Sequence, residues 1–112
     1  MKRYMANRGL HGRAVLVCEG PLHVAIQERR WLAPVTEETI PPTDSFEWGD
    51  TSIGSYLLAA SILYDLVGHD EAMTHLNRFR REIIAGLHPS GWMLRGDWIK
   101  EKLRDWSKEV QP

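Results

Sequence analysis

The chain has 112 residues, of which 43% are hydrophobic and 26% are charged, and its net charge is −1. This balance excludes a disordered or fibrous chain and predicts one globular domain, residues 1–112, with a core of its own. The single cysteine, Cys18, excludes an internal disulfide, and its apolar neighbours predict a buried thiol. No apolar leader follows Lys2 and Arg3, so a reducing cytoplasm is the expected compartment.

Charge is distributed unevenly along the chain. Residues 1–35 carry six Lys or Arg and two Glu, a balance of +4, whereas residues 36–50 carry five acids and no base. Residues 51–112 carry eight of each sign. A basic segment beside an acidic one favours docking on a partner of complementary charge, and it weakens any wide positive field for nucleic acid.

The first quarter of the chain predicts a three-stranded antiparallel meander over about residues 3–27. The three predicted strands are residues 3–6, 13–18 and 22–27, which are rich in β-branched residues or alternate between apolar and polar ones. The second of these strands is expected to be central. Two glycines and an asparagine predict a turn over residues 7–12.

A long proline-containing segment, residues 31–50, shows no clear period and is expected either to wrap the core or to serve the function. Its end places Glu47, Trp48 and Asp50 before a hydroxyl-rich helix start. Such a loop can offer backbone N–H groups to an anion. It lacks the lysine of a phosphate loop, however, and its carboxylates would repel phosphate. The alternative is a structural helix cap made with Ser52.

Three helices are predicted in the remainder of the chain, over about residues 55–67, 70–86 and 97–107. The first is apolar on nearly every side, which predicts a buried central helix that ends at Gly68. Asp70 and Asp97 are expected to cap the second and third helices. Residues 92–94 predict a short extended piece between them. Three strands followed by three helices predict an α+β fold rather than a parallel α/β sheet.

Arginines of the second helix are candidate binding residues. Helical geometry points Arg78 and Arg81 away from the apolar stripe and places Arg80 at its edge. A guanidinium at such an edge needs a partner or must reach solvent. Arg80 is therefore expected either to pair internally, with Asp65 or Glu47, or to hold an acidic partner or a phosphate.

Trp98 is a candidate anchor because it lies off the apolar stripe of the third helix. An exposed tryptophan near Arg95 could stack on a base or anchor a protein partner. A nucleic-acid surface would instead join Arg29 and Arg30 with the exposed arginines of the second helix. No spacing of His, Cys or Ser predicts a metal ligand set, a cofactor site or a catalytic nucleophile.

Five short motifs are spread over most of the chain: Tyr4 with Asn7–Gly9, Phe46–Gly49, the helix from Gly54, Phe79–Ile84 and Trp92–Leu94. Together they resemble a family of small uncharacterised proteins from bacteria, plasmids and phages with a Phe-x-Trp-Gly turn before an apolar helix. The resemblance implies no known activity. It implies a mobile-element setting, in which small proteins often bind host machinery, CRISPR effectors included.

These observations predict a small, non-enzymatic binding protein that acts through protein–protein contact. Together with the resemblance, they predict a mobile-element or phage protein that inhibits a host system such as a CRISPR effector. The alternative is a nucleic-acid-associated protein that uses a basic sheet and helix surface. No membrane span is expected, because the apolar runs are short. The oligomeric state stays open.

Overall fold

The computed structural model describes residues 2–20, 28–36 and 45–109, which form the predicted α+β fold. Four antiparallel strands make one sheet in the order β3-β2-β1-β4, and the longer helices share one apolar core with it. The strands are β1 (Lys2–Asn7), β2 (Leu16–Glu19), β3 (Glu28–Trp31) and β4 (Gly91–Arg95).

The predicted three-stranded meander is wrong in its strand count. Residues 92–94, expected to be only a short extended piece, belong to β4, and all five residues of β4 pair with β1. This pairing joins segments that are distant in sequence, so no local pattern reveals it. The strand predicted at 22–27 lies outside the described residues, and the strand that pairs with β2 is β3.

The connection between β1 and β2, predicted as a turn, contains a short helix. Residues 7–12 contain a short helix, α1 (Arg8–His11), whose N-cap Asn7 accepts the backbone N–H of Leu10 at 3.2 Å. The turn closes when the N–H of Ala14 donates to the carbonyl of His11 at 3.2 Å. Strand β2 consequently begins at Leu16 rather than at residue 13.

Helix α2 (Ile53–Val67) lies at the centre of the core. It begins two residues earlier than predicted, because the hydroxyl of Ser52 caps it by accepting the N–H of Ser55 at 3.4 Å. Leu58 and Ile62 are both 0% exposed, as expected for a central helix. Gly68 ends the helix as predicted, with a φ of 84° that favours glycine.

Helix α3 (His69–Glu82) is shorter than the predicted 70–86. Its N-cap is Gly68, so Asp70 lies in the first turn instead of capping the helix. After Glu82 the backbone tightens into a 3₁₀ turn, Ile84–Gly86. There the carbonyl of Ile84 accepts the N–H of Gly49 at 2.9 Å, which ties the turn to the loop before α2.

Helix α4 (Gly96–Glu109) extends the predicted 97–107 at both ends. Asp97, expected as its cap, lies in the first turn. Ile99, Leu103 and Trp106 are its buried stripe, as the periodicity predicts. Within the described ranges, no helix is long and apolar enough to cross a membrane.

The two sides of the sheet carry different side chains, because successive residues of a strand point to opposite faces. The core side is a row across all four strands formed by Arg30, Val17, Tyr4 and Leu94. The outer side has an apolar row, Trp31, Leu16, Met5 and Met93. Beside it runs a second outer row, Arg29, Cys18, Arg3 and Arg95.

Candidate functional site

A groove lies between the edge strand β4 and the first two turns of α4. Its volume is about 410 Å³, and it is lined by Met93, Leu94, Arg95, Asp97, Trp98 and Glu101. A smaller depression of about 140 Å³ continues along α4 and is lined by Trp98, Glu101, Lys102 and Asp105. These two lining sets together are called the Trp98 groove.

The Trp98 groove combines an apolar floor with two exposed apolar side chains. Met93 is 48% exposed and Trp98 is 38% exposed, whereas Leu94, which also lines the groove, is buried. The ammonium of Lys102 lies 5.5 Å from the centre of the Trp98 ring, a cation–π distance. The prediction that Trp98 is exposed near Arg95 is confirmed, since both line the same groove.

Carboxylates dominate the rim of the Trp98 groove on the α4 side. Arg95 and Asp97 form an ion pair at 3.0 Å, so their charges largely cancel. Glu101 and Asp105 are exposed and four residues apart, which places them on one flank of the helix. Neither forms an ion pair or a hydrogen bond with another residue of the described ranges. Lys102 lines the same flank, so Glu101 and Asp105 give it a net charge of −1.

The predicted loop candidates Glu47, Trp48 and Asp50 have internal contacts instead of an open anion site. Asp50 Oδ1 accepts the hydroxyls of Ser52 at 2.7 Å and Ser55 at 2.6 Å, together with the Ser52 N–H at 3.0 Å. These bonds, led by the one from Ser55, lower the pKa of Asp50. Asp50 therefore holds the capping hydroxyls of α2 in place, which favours the structural alternative.

Trp48 and Glu47 join this loop to the rest of the fold. Trp48 is 4% exposed, and its indole N–H donates to the carbonyl of Pro89 at 3.2 Å. Its ring meets that of Trp92 edge-on, with the centroids 5.7 Å apart. The carboxylate of Glu47 pairs with Arg13 at 2.6 Å.

Arg80 does not form the internal ion pair that the sequence favours. Its guanidinium lies over the ring of Tyr56, 5.2 Å from the ring centre, and its Nε is buried without a hydrogen-bond partner among the described residues. Both proposed partners, Asp65 and Glu47, are bonded to other basic residues. A cation–π contact with Tyr56 therefore replaces the expected ion pair of Arg80.

The four arginines proposed for a basic surface are not brought together as free charges. Arg30 pairs with Asp65 at 2.6 Å, while its neighbour Arg29 belongs to the outer row of the sheet. Arg78 pairs with Glu82 and with Glu109, and these carboxylates, Glu109 first, raise its pKa. Arg81 is exposed on α3. Two of the four charges are thus neutralised locally.

Sequence reasoning missed a cluster around Asp65, the one acid in the apolar run of α2. Its carboxylate accepts the hydroxyl of Tyr4 at 2.7 Å and contacts Arg30 at 2.6 Å and Lys2 at 3.2 Å. Burial raises the pKa of Asp65, but hydrogen bonds from Tyr4, Arg30 and Lys2 outweigh it and leave the pKa lowered. This cluster is called the Asp65 clamp. A single acid in a mostly apolar helix is the sequence pattern that could have indicated it.

A family model covers nearly the whole fold, matching residues 4–108. The chain belongs to the DUF6166 family of unknown function. The predicted membership in an uncharacterised family is confirmed, whereas the bacterial, plasmid and phage setting stays a prediction. No curated protein and no solved structure matches this DUF6166 chain. The function must therefore be argued from its own geometry.

Proposed function

We propose that this DUF6166 protein is a non-enzymatic binding protein that docks on another protein through the Trp98 groove. The observation that carries the proposal is the exposed pair Met93 and Trp98, which lie beside Arg95 in one groove at a sheet edge. Tryptophan, methionine and arginine are enriched in protein interfaces, and tryptophan and arginine supply most hot spots. Exposed apolar side chains that share one groove are a common mark of such a surface.

The polar clusters around Asp50 and Asp65 stabilise the fold, and this supports a binding function rather than a catalytic one. Asp50 and Asp65, whose pKa values are lowered, are each committed to several internal hydrogen bonds. These bonds tie α2 to neighbouring segments, so the two carboxylates serve the fold. Glu101 and Asp105 of the Trp98 groove, by contrast, are exposed to solvent and form no ion pair within the described ranges.

A protein interface of standard size buries about 800 Å² on each partner, more than the groove alone supplies. The apolar outer row of the sheet extends the surface from Met93 towards Trp31, which is 54% exposed. A partner seated on Trp98 would therefore also contact the outer side of the sheet. The resemblance makes a host defence complex, such as a CRISPR effector, the partner class to examine first.

The test is affinity capture from host cells with the wild-type chain and matched variants. Trp98→Ala should lower partner recovery by roughly 30-fold, the effect of a hot spot worth about 2 kcal/mol. Ile53→Ala is the control, because Ile53 is also an exposed apolar residue, 50% accessible, and lies on a different helix. Equal recovery with wild type and Trp98→Ala contradicts docking through this groove.

A nucleic-acid role remains the second candidate because of the outer row that contains Arg29, Arg3 and Arg95. Arg95 is paired with Asp97 and Cys18 interrupts the row, which weakens a continuous positive surface. We expect DNA and RNA to bind no tighter than about 10⁻⁴ M at physiological salt. Micromolar binding with a steep salt slope, reduced by Arg29→Glu in fluorescence anisotropy, would establish this second candidate instead.

A further inference from the structure

Three sulfur-containing side chains are neighbours on the outer side of the sheet, one from each of three adjacent strands. The thiol of Cys18 on β2 donates to the thioether of Met5 on β1, and the two sulfurs are 3.8 Å apart. Met5 is in turn directly opposite Met93 on β4. Only strand pairing brings these residues together, which is why no spacing in the sequence predicted a ligand set.

The pairing of β1 with β4 brings the two methionine side chains close to each other. The N–H of Arg8 donates to the carbonyl of Ser90 at 2.9 Å, so this opposed pair is hydrogen-bonded. Antiparallel ladders alternate bonded and non-bonded pairs, which makes Met5 and Met93 a non-hydrogen-bonded pair. The Cβ atoms of such a pair are about 4.5 Å apart, and a methionine side chain is long and flexible. Rotation of the Met93 side chain can therefore bring its sulfur to the Cys18–Met5 contact.

We infer that Cys18, Met5 and Met93 form a three-sulfur binding site for a soft monovalent metal ion, Cu(I). Thiolate and thioether sulfurs are soft ligands, which select Cu(I). Two sulfurs that bind one ion at about 2.3 Å, the metal–sulfur distance of zinc sites, lie about 3.8–4.0 Å apart at tetrahedral or trigonal angles. The sulfurs of Cys18 and Met5 already have this separation, so binding requires only Met93 to turn.

The surroundings of the three sulfurs favour a monovalent ion over zinc. Zinc sites take their protein ligands from Cys, His, Asp and Glu, and the described ranges contain no group of three such residues that could hold a metal. Arg3 and Arg29 lie directly opposite Cys18 on the two neighbouring strands. A divalent ion bound by one thiolate would add a net positive charge to this row, whereas Cu(I) and one thiolate are neutral together.

The exposure of the three residues gives the ion a route into the site. Met93 is 48% exposed, whereas Cys18 is 3% exposed. An incoming ion can therefore bind Met93 first and then reach the buried thiol. Binding replaces the thiol proton with Cu(I) and releases that proton to solvent, with no change of oxidation state. Trp98 supplies no ligand, so this inference and the proposed function can be tested separately.

The experiment titrates Cu(I) into the reduced protein without oxygen, with bicinchoninate as the competing chelator. We expect a single ion to bind each chain. Met93→Leu should weaken binding roughly tenfold or more, since a lost ligand costs at least as much as a lost outer-shell partner. Met73→Leu is the matched control, because Met73 is also an exposed methionine, 38% accessible, and lies on α3. Trp98→Ala should bind Cu(I) as the wild type does.

Two spectroscopic measurements identify the ligands. X-ray absorption at the copper edge should show a shell of sulfur atoms alone, and Cys18→Ala should lose it. Ag(I) is a second soft monovalent probe, and its addition should shift the methyl NMR signals of Met5 and Met93 but not that of Met73. If Cys18→Ala does not fold, Met93→Leu still tests the site, because Met93 is exposed and leucine is similar in volume.

Several outcomes would overturn the site. One is failure of the protein to withdraw Cu(I) from bicinchoninate, and another is a copper shell that contains nitrogen or oxygen. Two chains held by one ion would also overturn it. So would binding that needs Cys18 but survives both Met5→Leu and Met93→Leu, because this is the behaviour of an ordinary thiol.

Discussion

Replacing Asp65 with asparagine tests the clamp that joins α2 to the sheet. The amide keeps the shape of the side chain and can still accept the Tyr4 hydroxyl, so the change removes mainly charge. The carboxylate is 18% exposed and Lys2 is 19% exposed, whereas Arg30 is 46% exposed. Solvent screening therefore makes the Arg30 pair worth under about 1 kcal/mol, and the less exposed contacts carry most of the effect.

We expect Asp65→Asn to lower the free energy of unfolding by about 2 kcal/mol at pH 7. Unfolding entropy near the midpoint is about 2.1 cal/mol/K per residue, so this loss shifts the Tm by roughly 8 °C. Circular dichroism during heating measures the shift. Asp70→Asn is the control, because that carboxylate is fully exposed and its change should fall within about 0.5 kcal/mol.

The pH dependence separates charge from packing. The folded-state pKa of Asp65 is lowered, so its stabilisation is complete above the unfolded value of about 3.9 and is lost as pH falls through the folded pKa. The gap between wild type and Asp65→Asn should therefore be constant from about pH 5 to 8 and shrink below about pH 4. Equal melting temperatures of the wild type and Asp65→Asn at pH 7, or a stability difference between them that does not shrink below about pH 4, would refute the clamp.

Three further substitutions test other parts of the fold. Burial and the hydrogen bond to Asp65 raise the pKa of Tyr4, so the stabilisation by its neutral hydroxyl is lost as pH rises above about 10. In denaturant titrations, Tyr4→Phe should therefore reduce the fall in the free energy of unfolding at alkaline pH. Leu58→Ala should cost about 2–5 kcal/mol in urea unfolding, whereas the exposed Ile53→Ala should cost under about 1 kcal/mol. Asp50→Ala should cost about 1 kcal/mol at pH 7, with the cost fading below about pH 4 because the pKa of Asp50 is lowered.

The helical half of the chain was largely predictable from sequence. The apolar run of α2 and the three-and-four spacing of α3 arise from local periodicity, and Gly68 marks the boundary between them. Helix ends were less predictable, because caps depend on contacts outside the helix. The Ser52 cap was predicted as the structural alternative, yet the start of α2 was placed two residues late, and the loop contact to Ile84 coincides with the tightened turn after α3.

The candidate site was predicted only in part. The exposure of Trp98 follows from its angle on α4, and Arg95 was named because it is close to Trp98 in the sequence. Sequence reasoning did not identify Met93 as part of the site, because its role depends on β4 lying at the sheet edge. The partner of Arg80 was also missed, since the ring of Tyr56 is brought to it by the packing of α2 against α3.

By itself, the sequence determined the α+β class, the buried central helix and the apolar stripes, because these depend on the order of residues along each segment. Tertiary structure alone decided that β4 joins β1, that Asp65 binds Tyr4 and that a groove opens beside Trp98. The first two contacts join residues far apart in the chain, and the groove depends on the position of β4 at the edge of the described sheet. Local patterning constrains which face of an element is buried, but it does not specify which distant element covers that face.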